Sequence, residues 1–128
     1  KDVEGLLHRS LQADIFAFLD AIARQEKKRA LEFLSFHIRK GDEPLYILSM
    51  LAMQFRRMLE VCDIQSRGES LKVLSLHPYA ARKTAELVAR FSPEKLKEAF
   101  SRVVETDKNI KTGLCKPVSA LYLYALSA

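Results

Sequence analysis

Three histidines, two cysteines and a scatter of carboxylates are the residues of this 128-residue sequence that could do chemistry. His8, His37 and His77 fall on three different segments. None belongs to an HExxH-type pair, which would turn two imidazoles toward one metal from a single helix face. Cys62 and Cys115 are far apart and form no CxxC pair to begin a zinc site. Glu98 and Glu105 stand two turns apart on one stretch, a spacing that could serve acid–base work. Among so many lysines they read better as surface ion-pair partners, each pair worth about 0.3–0.5 kcal/mol. There is no GxxxxGK[ST] or GxGxxG loop to cradle a phosphate, and no GxSxG nucleophile elbow. No catalytic, cofactor-binding or metal-ligating residue is expected. His37, at the edge of an apolar helical stripe, is expected to be a core or helix-end histidine.

With no reactive constellation to hold, the elements must be read for the surfaces they create. The chain reads as helices throughout, with its glycines and prolines at the starts and stops. A short turn is expected at Val3–His8. Asp14 is placed to cap a helix from Ile15 to about Arg24, whose stripe is Ile15, Phe16, Leu19, Ile22 and Ala23. A helix from Lys27 to Lys40 follows, with Leu31, Leu34 and Ile38 on one face and Ala30, Phe33 and His37 widening it. Gly41 is its C-cap, because glycine takes the left-handed conformation at little cost.

Pro44 fits the first turn of a long helix that should reach about Gln65. Leu45, Leu48, Ala52, Phe55, Leu59 and Cys62 step along one face, with Ile47, Leu51, Met58 and Val61 beside them. Tyr46, Met50 and Met53 carry apolar surface further round. Ser49, Arg56 and Glu60, with Arg57 at one edge, leave only a narrow polar side. Such a helix is either central in its bundle or covered in part by a partner.

Ser66-Arg67-Gly68-Glu69 marks the clearest break, and one continuous bundle is expected across it. A short helix at Ser70–Leu76 and another from Tyr79 to Phe91 should follow, the latter packing through Ala81, Ala85, Leu87, Val88 and Phe91. Ser92-Pro93-Glu94 is a strong helix start. That helix carries Leu96, Ala99, Phe100, Val103 and Val104 to about Asn109. Pro117 opens the last helix, VSALYLYALSA, which has no charged side chain and needs cover on nearly every side.

Lys and Arg number 21 against 16 Asp and Glu, a formal charge of +5. The basic residues are mixed with acids rather than gathered on one stripe, so solvated helix faces are favoured over a nucleic-acid groove. No apolar run approaches the ~20 residues that cross a bilayer. The opening KDVEGLLHRS has neither an initiating Met nor a signal-peptide core, as expected for a soluble piece of a longer protein. Two sparse cysteines suit a reduced, cytoplasmic setting. These readings point to a single helical unit, residues 1–128, that assembles with something. The candidate contact residues are Tyr46, Met50, Met53, Arg56, Arg57, Lys111, Tyr122 and Tyr124. Arg56 and Arg57, adjacent on a helix, point about 100° apart and cannot serve one groove.

Four segments arrive in one order: IFAFLDAIARQEKKRALEFL, EPLYILSMLAMQFRRMLEV, ARFSPEKLKEAF and DKNIKTG. Together they resemble the C-terminal region of the bacterial DNA polymerase III delta subunit, a clamp-loader family. The opening DVEGLL resembles the junction after an AAA+-like lid. The resemblance implies an all-α collar domain, a compact bundle of about six to seven helices, with the N-terminal AAA+-like modules absent from these residues. It also implies no enzymatic activity here, although the parent complex would be a polymerase holoenzyme component. The implied task is oligomerisation: holding delta in the pentamer that loads the sliding clamp onto DNA during replication. The implied partners are the other clamp-loader subunits, of gamma/tau and delta-prime type, with DNA met only through the full complex and no membrane contact. Gln54, Phe55, Arg56, Asp107, Lys111 and Gly113 match the family-like pattern. The alternative, from +5 and the KNIK and ARK clusters, is a helical nucleic-acid-binding domain.

Overall fold

The computed structural model describes residues 10–74 and 76–127. The turn expected at Val3–His8 lies outside them. Among the described residues there are six α-helices, one 3-10 turn and no strand. The helices are α1 (Leu11–Arg24), α2 (Lys27–Lys40), α3 (Pro44–Ser66), α4 (Pro78–Val88), α5 (Pro93–Lys111) and α6 (Pro117–Ser127), with the 3-10 turn Leu71–Val73 between α3 and α4. The all-α bundle expected from the sequence is the fold observed.

Local chemistry sets the boundaries. All four prolines of the chain open helices, where a missing amide breaks no helical hydrogen bond. Ser92 accepts from the Lys95 amide at 3.1 Å, capping α5 as expected. Gly41 closes α2 with φ +107°. The start of α1 differs from expectation. Ser10 is the cap, its Oγ accepting from the Ala13 amide at 3.3 Å, so the helix begins a turn earlier and Asp14 is freed for another contact. The helix expected at Ser70–Leu76 shortens to the 3-10 turn because Leu74 is already extended. Gln25 ends α1 with φ +59°, a left-handed conformation that side chains other than glycine rarely take.

The central element is α3, which packs against α1, α4, α5 and α6. Its innermost row is Ile47, Leu51, Gln54, Phe55, Met58 and Val61, all buried. The face expected to lead, from Leu45 to Cys62, is therefore turned partly outward: Leu45 is exposed and Leu59 and Cys62 are half-buried. Ser49, Arg56 and Glu60 form the exposed polar side, as expected. On α1 the deepest ring is Phe18, which sequence spacing had left out. It stacks on Phe33 of α2 with centroids 4.5 Å apart, while Phe16 is only half-buried. Helices on the two sides of the Ser66–Glu69 break interleave, α3 against α5 and α1 against α4.

Candidate interaction surface

The last helix has two faces of different fate. Ala120, Leu121, Tyr124 and Ala125 are buried against α2, α3 and α5. Val118, Leu123 and Leu126 face outward, and Leu123 is 58% exposed. Leu114, in the turn just before, is 76% exposed. With no charge anywhere on α6, this outer face is aliphatic, broken only by Ser119 and Ser127. A second exposed apolar pair, Leu45 and Tyr46, lies on the first turn of α3. Isolated apolar residues are ordinary on protein surfaces; a run of them along one helix and its entry turn is the form that partner faces take.

The eight candidates from the sequence do not come together. Tyr46 is exposed, as expected of a contact residue. Met50 and Tyr124 are 7% and 2% exposed, which corrects the expectation for both: α3 is central, so Met50 is enclosed by its own bundle, and Tyr124 points inward from α6. Met53 is half-buried against the core. Arg56 is exposed, but its guanidinium lies 5.8 Å from the centre of the Phe100 ring on α5. Arg57 is half-buried. Lys111 pairs with Asp107 at 2.9 Å. Tyr122 is half-buried, and its hydroxyl meets Ser35 of α2 at 2.9 Å. Sequence reasoning missed Leu114, Val118, Leu123 and Leu126 as the leading surface. The absence of charge in α6 was the signal, and which of its faces stays open depends on the packing.

Two polar clusters hold the helices in place. His37, fully buried, has Nε2 at 2.8 Å from Asp14 of α1 and Nδ1 at 2.8 Å from Asp42, beyond the end of α2. Lys40 also reaches Asp42 at 3.2 Å. Partial burial works to raise the Asp42 pKa; the hydrogen bonds from His37 and Lys40 outweigh it and hold the carboxyl below its usual range. The second cluster centres on Asp20, which takes Arg90 Nε at 2.6 Å, Arg24 Nε at 3.0 Å and Arg29 at 3.2 Å. Here too partial burial works to raise the pKa, and the hydrogen bonds from Arg29 and Arg24 with the charges of Arg90 and Arg24 bring it below the ordinary value. One carboxylate thereby ties α1 to α2 and to the residues after α4.

Neither cluster forms a reactive site. Among the described residues no three His, Cys, Asp or Glu side chains come together as a metal site. Glu98 pairs loosely with Arg102 at 3.6 Å, in keeping with a surface role. A surface hollow of about 800 Å³ runs along α2 past Leu31, Phe36, Lys28 and Arg39. Among the described residues its lining comes from that helix alone, so no second wall converges on a ligand. No described helix is long and apolar enough to cross a membrane.

Comparison with known proteins identifies the kind of domain to which this all-helical bundle belongs. Residues 12–128 match the family described as DNA polymerase III delta subunit, C-terminal domain. The chain belongs to that family. It is 26% identical over 116 residues to DNA polymerase III subunit delta of Bacillus subtilis (strain 168), a match covering 88% of this chain and 33% of that protein. It is also similar to the solved Bacillus subtilis DNA clamp loader delta protein (YqeN), with TM-score 0.87 and 25% identity over 98% of this chain and 38% of that one. The chain thus spans about a third of the length of the relative it matches. As a member of this family it is a clamp-loader delta C-terminal domain.

Proposed function

We propose that this domain holds its subunit in the clamp-loader assembly by burying the outer face of α6 against a neighbouring subunit. The observation that carries the reading is the exposure of Val118, Leu123 and Leu126 on a helix with no charge. Burial of such side chains supplies about 1.5–3 kcal/mol each when it is complete. The partners are other clamp-loader subunits, of gamma/tau and delta-prime type, in the cytoplasm, with residues 1–128 acting as one collar unit. Tyr46, with Leu45 beside it, forms a second contact, and Met53, Arg56, Arg57, Lys111 and Tyr122 border the contacts. The test is sedimentation of the full-length subunit with its partner subunits. Leu123→Glu with Leu126→Glu weakens association by at least tenfold while the free chain keeps its melting temperature. Unchanged association sinks the reading.

A nucleic-acid-binding role has less support. Many of the cations are already spent on local acids: Arg24, Arg29 and Arg90 on Asp20, Arg67 on Asp63 and Glu69, and Lys111 on Asp107. DNA affinity that falls steeply with salt, as phosphate neutralisation requires, would restore it.

A further inference from the structure

Where α1, α5 and the last turn of α6 converge, a cleft of about 350 Å³ is lined by Lys27, Arg90, Lys95 and Arg102, with Glu98 the one carboxylate in its described lining. The four cations come from three places in the chain: the start of α2, the residues after α4, and α5. Arg90 is held by Asp20 at 2.6 Å, and Arg102 reaches Glu98 only loosely, at 3.6 Å. Lys27 and Lys95 are exposed, and among the described residues neither has an ion-pair partner. Each stands in the first turn of its helix, where the positive helix end disfavours a cation, so the stability of the free bundle does not explain either lysine.

The surroundings select the anion. The cleft shares Arg102 and Ser127 with a smaller hollow that Leu123 borders, so the cationic patch runs into the aliphatic face of α6. Duplex DNA asks for cations along a stripe rather than in one cleft. A single strand asks for open aromatic faces beside the cations; the ring in this lining, Phe91, stands edge-on to Phe55 and packs against the core. Glu98 opposes a doubly charged phosphate more than a single carboxylate. We infer that this cleft receives the carboxylates of an acidic segment of the neighbouring subunit that covers α6. The inference rests on the assembly reading above and adds the partner's chemistry: an apolar stretch for Leu123 and Leu126, flanked by Asp or Glu for the cleft. Complementary charge at the edge of such a contact speeds the encounter and rejects wrong neighbours more than it adds affinity.

Lys27→Glu with Lys95→Glu, made in the full-length subunit, tests it. Acids suit the first turn of a helix, so the melting temperature stays or rises. Association with the partner subunits, followed by stopped flow, slows about tenfold at about 0.1 M salt. Most of that difference disappears at about 1 M salt, where the screening length has shrunk from about 10 Å to about 3 Å. Association as fast and as tight as the parent's sinks the inference, and a loss equal at both salts sinks it too, because the contact is then not ionic. If the variant assembles normally but loses affinity for a DNA oligonucleotide, the cleft reads phosphate and the acidic partner segment is wrong. Leu123→Glu with Leu126→Glu judges the assembly reading separately: if it alone weakens association, that reading stands and only the acidic segment falls.

Discussion

His37 Nε2 lies 2.8 Å from the Asp14 carboxylate, joining the last turn of α2 to the first turn of α1 across 23 residues of sequence. The same ring meets Asp42 through its other nitrogen, so one buried side chain pins the corner where α1, α2 and the approach to α3 converge. Replacing it by Phe keeps an aromatic ring beside Phe33 but removes the imidazole contact of both carboxylates, Asp42 keeping Lys40. Because both retain some contact with solvent, the cost should be about 2 kcal/mol rather than the larger penalty of a fully dry pair. Urea denaturation of His37→Phe measures it; a loss below 0.5 kcal/mol (on the order of a surface substitution) would show the corner is held by packing alone.

Acid should destabilise the bundle through Asp20 and Asp42. Both are held below the ordinary carboxylate pKa, so the folded value lies under the unfolded one. Their contribution is then complete above about pH 4 and is lost as pH falls through the folded values. Asp20→Asn should cost about 1 kcal/mol at neutral pH, a modest figure because the three arginines are half-exposed and screened. It should also flatten the fall in melting temperature between pH 4 and pH 2 (roughly the carboxylate range). A pH profile identical to the parent's would show that Asp20 is not preferentially charged in the fold.

Gln54 is the polar residue at the heart of α3, and its amide donates to Thr84 of α4 at 3.2 Å. Gln54→Ala both opens a cavity and leaves part of the Thr84 hydroxyl unmatched, at a cost of about 2–3 kcal/mol. Gln54→Leu with Thr84→Val removes both polar partners and should come within about 1 kcal/mol of the parent. Equal losses in the two variants, by thermal unfolding, would mean the pair matters for shape and not for hydrogen bonding.

Two turns give opposite expectations. A methyl at Gly41 meets nothing within 4 Å, so Gly41→Ala should cost about 1 kcal/mol through its φ of +107° alone. Gln25 holds a left-handed conformation without glycine's freedom, and Gln25→Gly should raise stability by up to about 1 kcal/mol. Melting curves of the pair should move in opposite directions; a shared direction would refute the backbone argument.

Most of the fold was legible because caps and breakers are local signals. Pro44, Ser92-Pro93, Gly41 and Pro117 mark helix limits through the chemistry of one or two residues, and the helices begin or end where those residues say. Burial was less legible. On α3 every side but one is apolar, so the sequence could not say which row points inward, and Gln54 rather than Cys62 belongs to the innermost one. Phe16 and Phe18 are equally apolar; only the position of Phe33 on the next helix selects Phe18. The candidate surface was half legible. The uncharged α6 announces that something must cover it, but the enclosure of Met50 and Tyr124 depends on helices distant in sequence and leaves no local signal.

Each of the four prolines leads a helix. Proline discourages its preceding residue from helical geometry and cannot donate back into an earlier turn. The junctions before Pro44 and Pro117 therefore resist straightening into one long rod that would lend a helix to a neighbouring protomer. The bundle is thereby built to keep its own helices rather than trade them with a second copy.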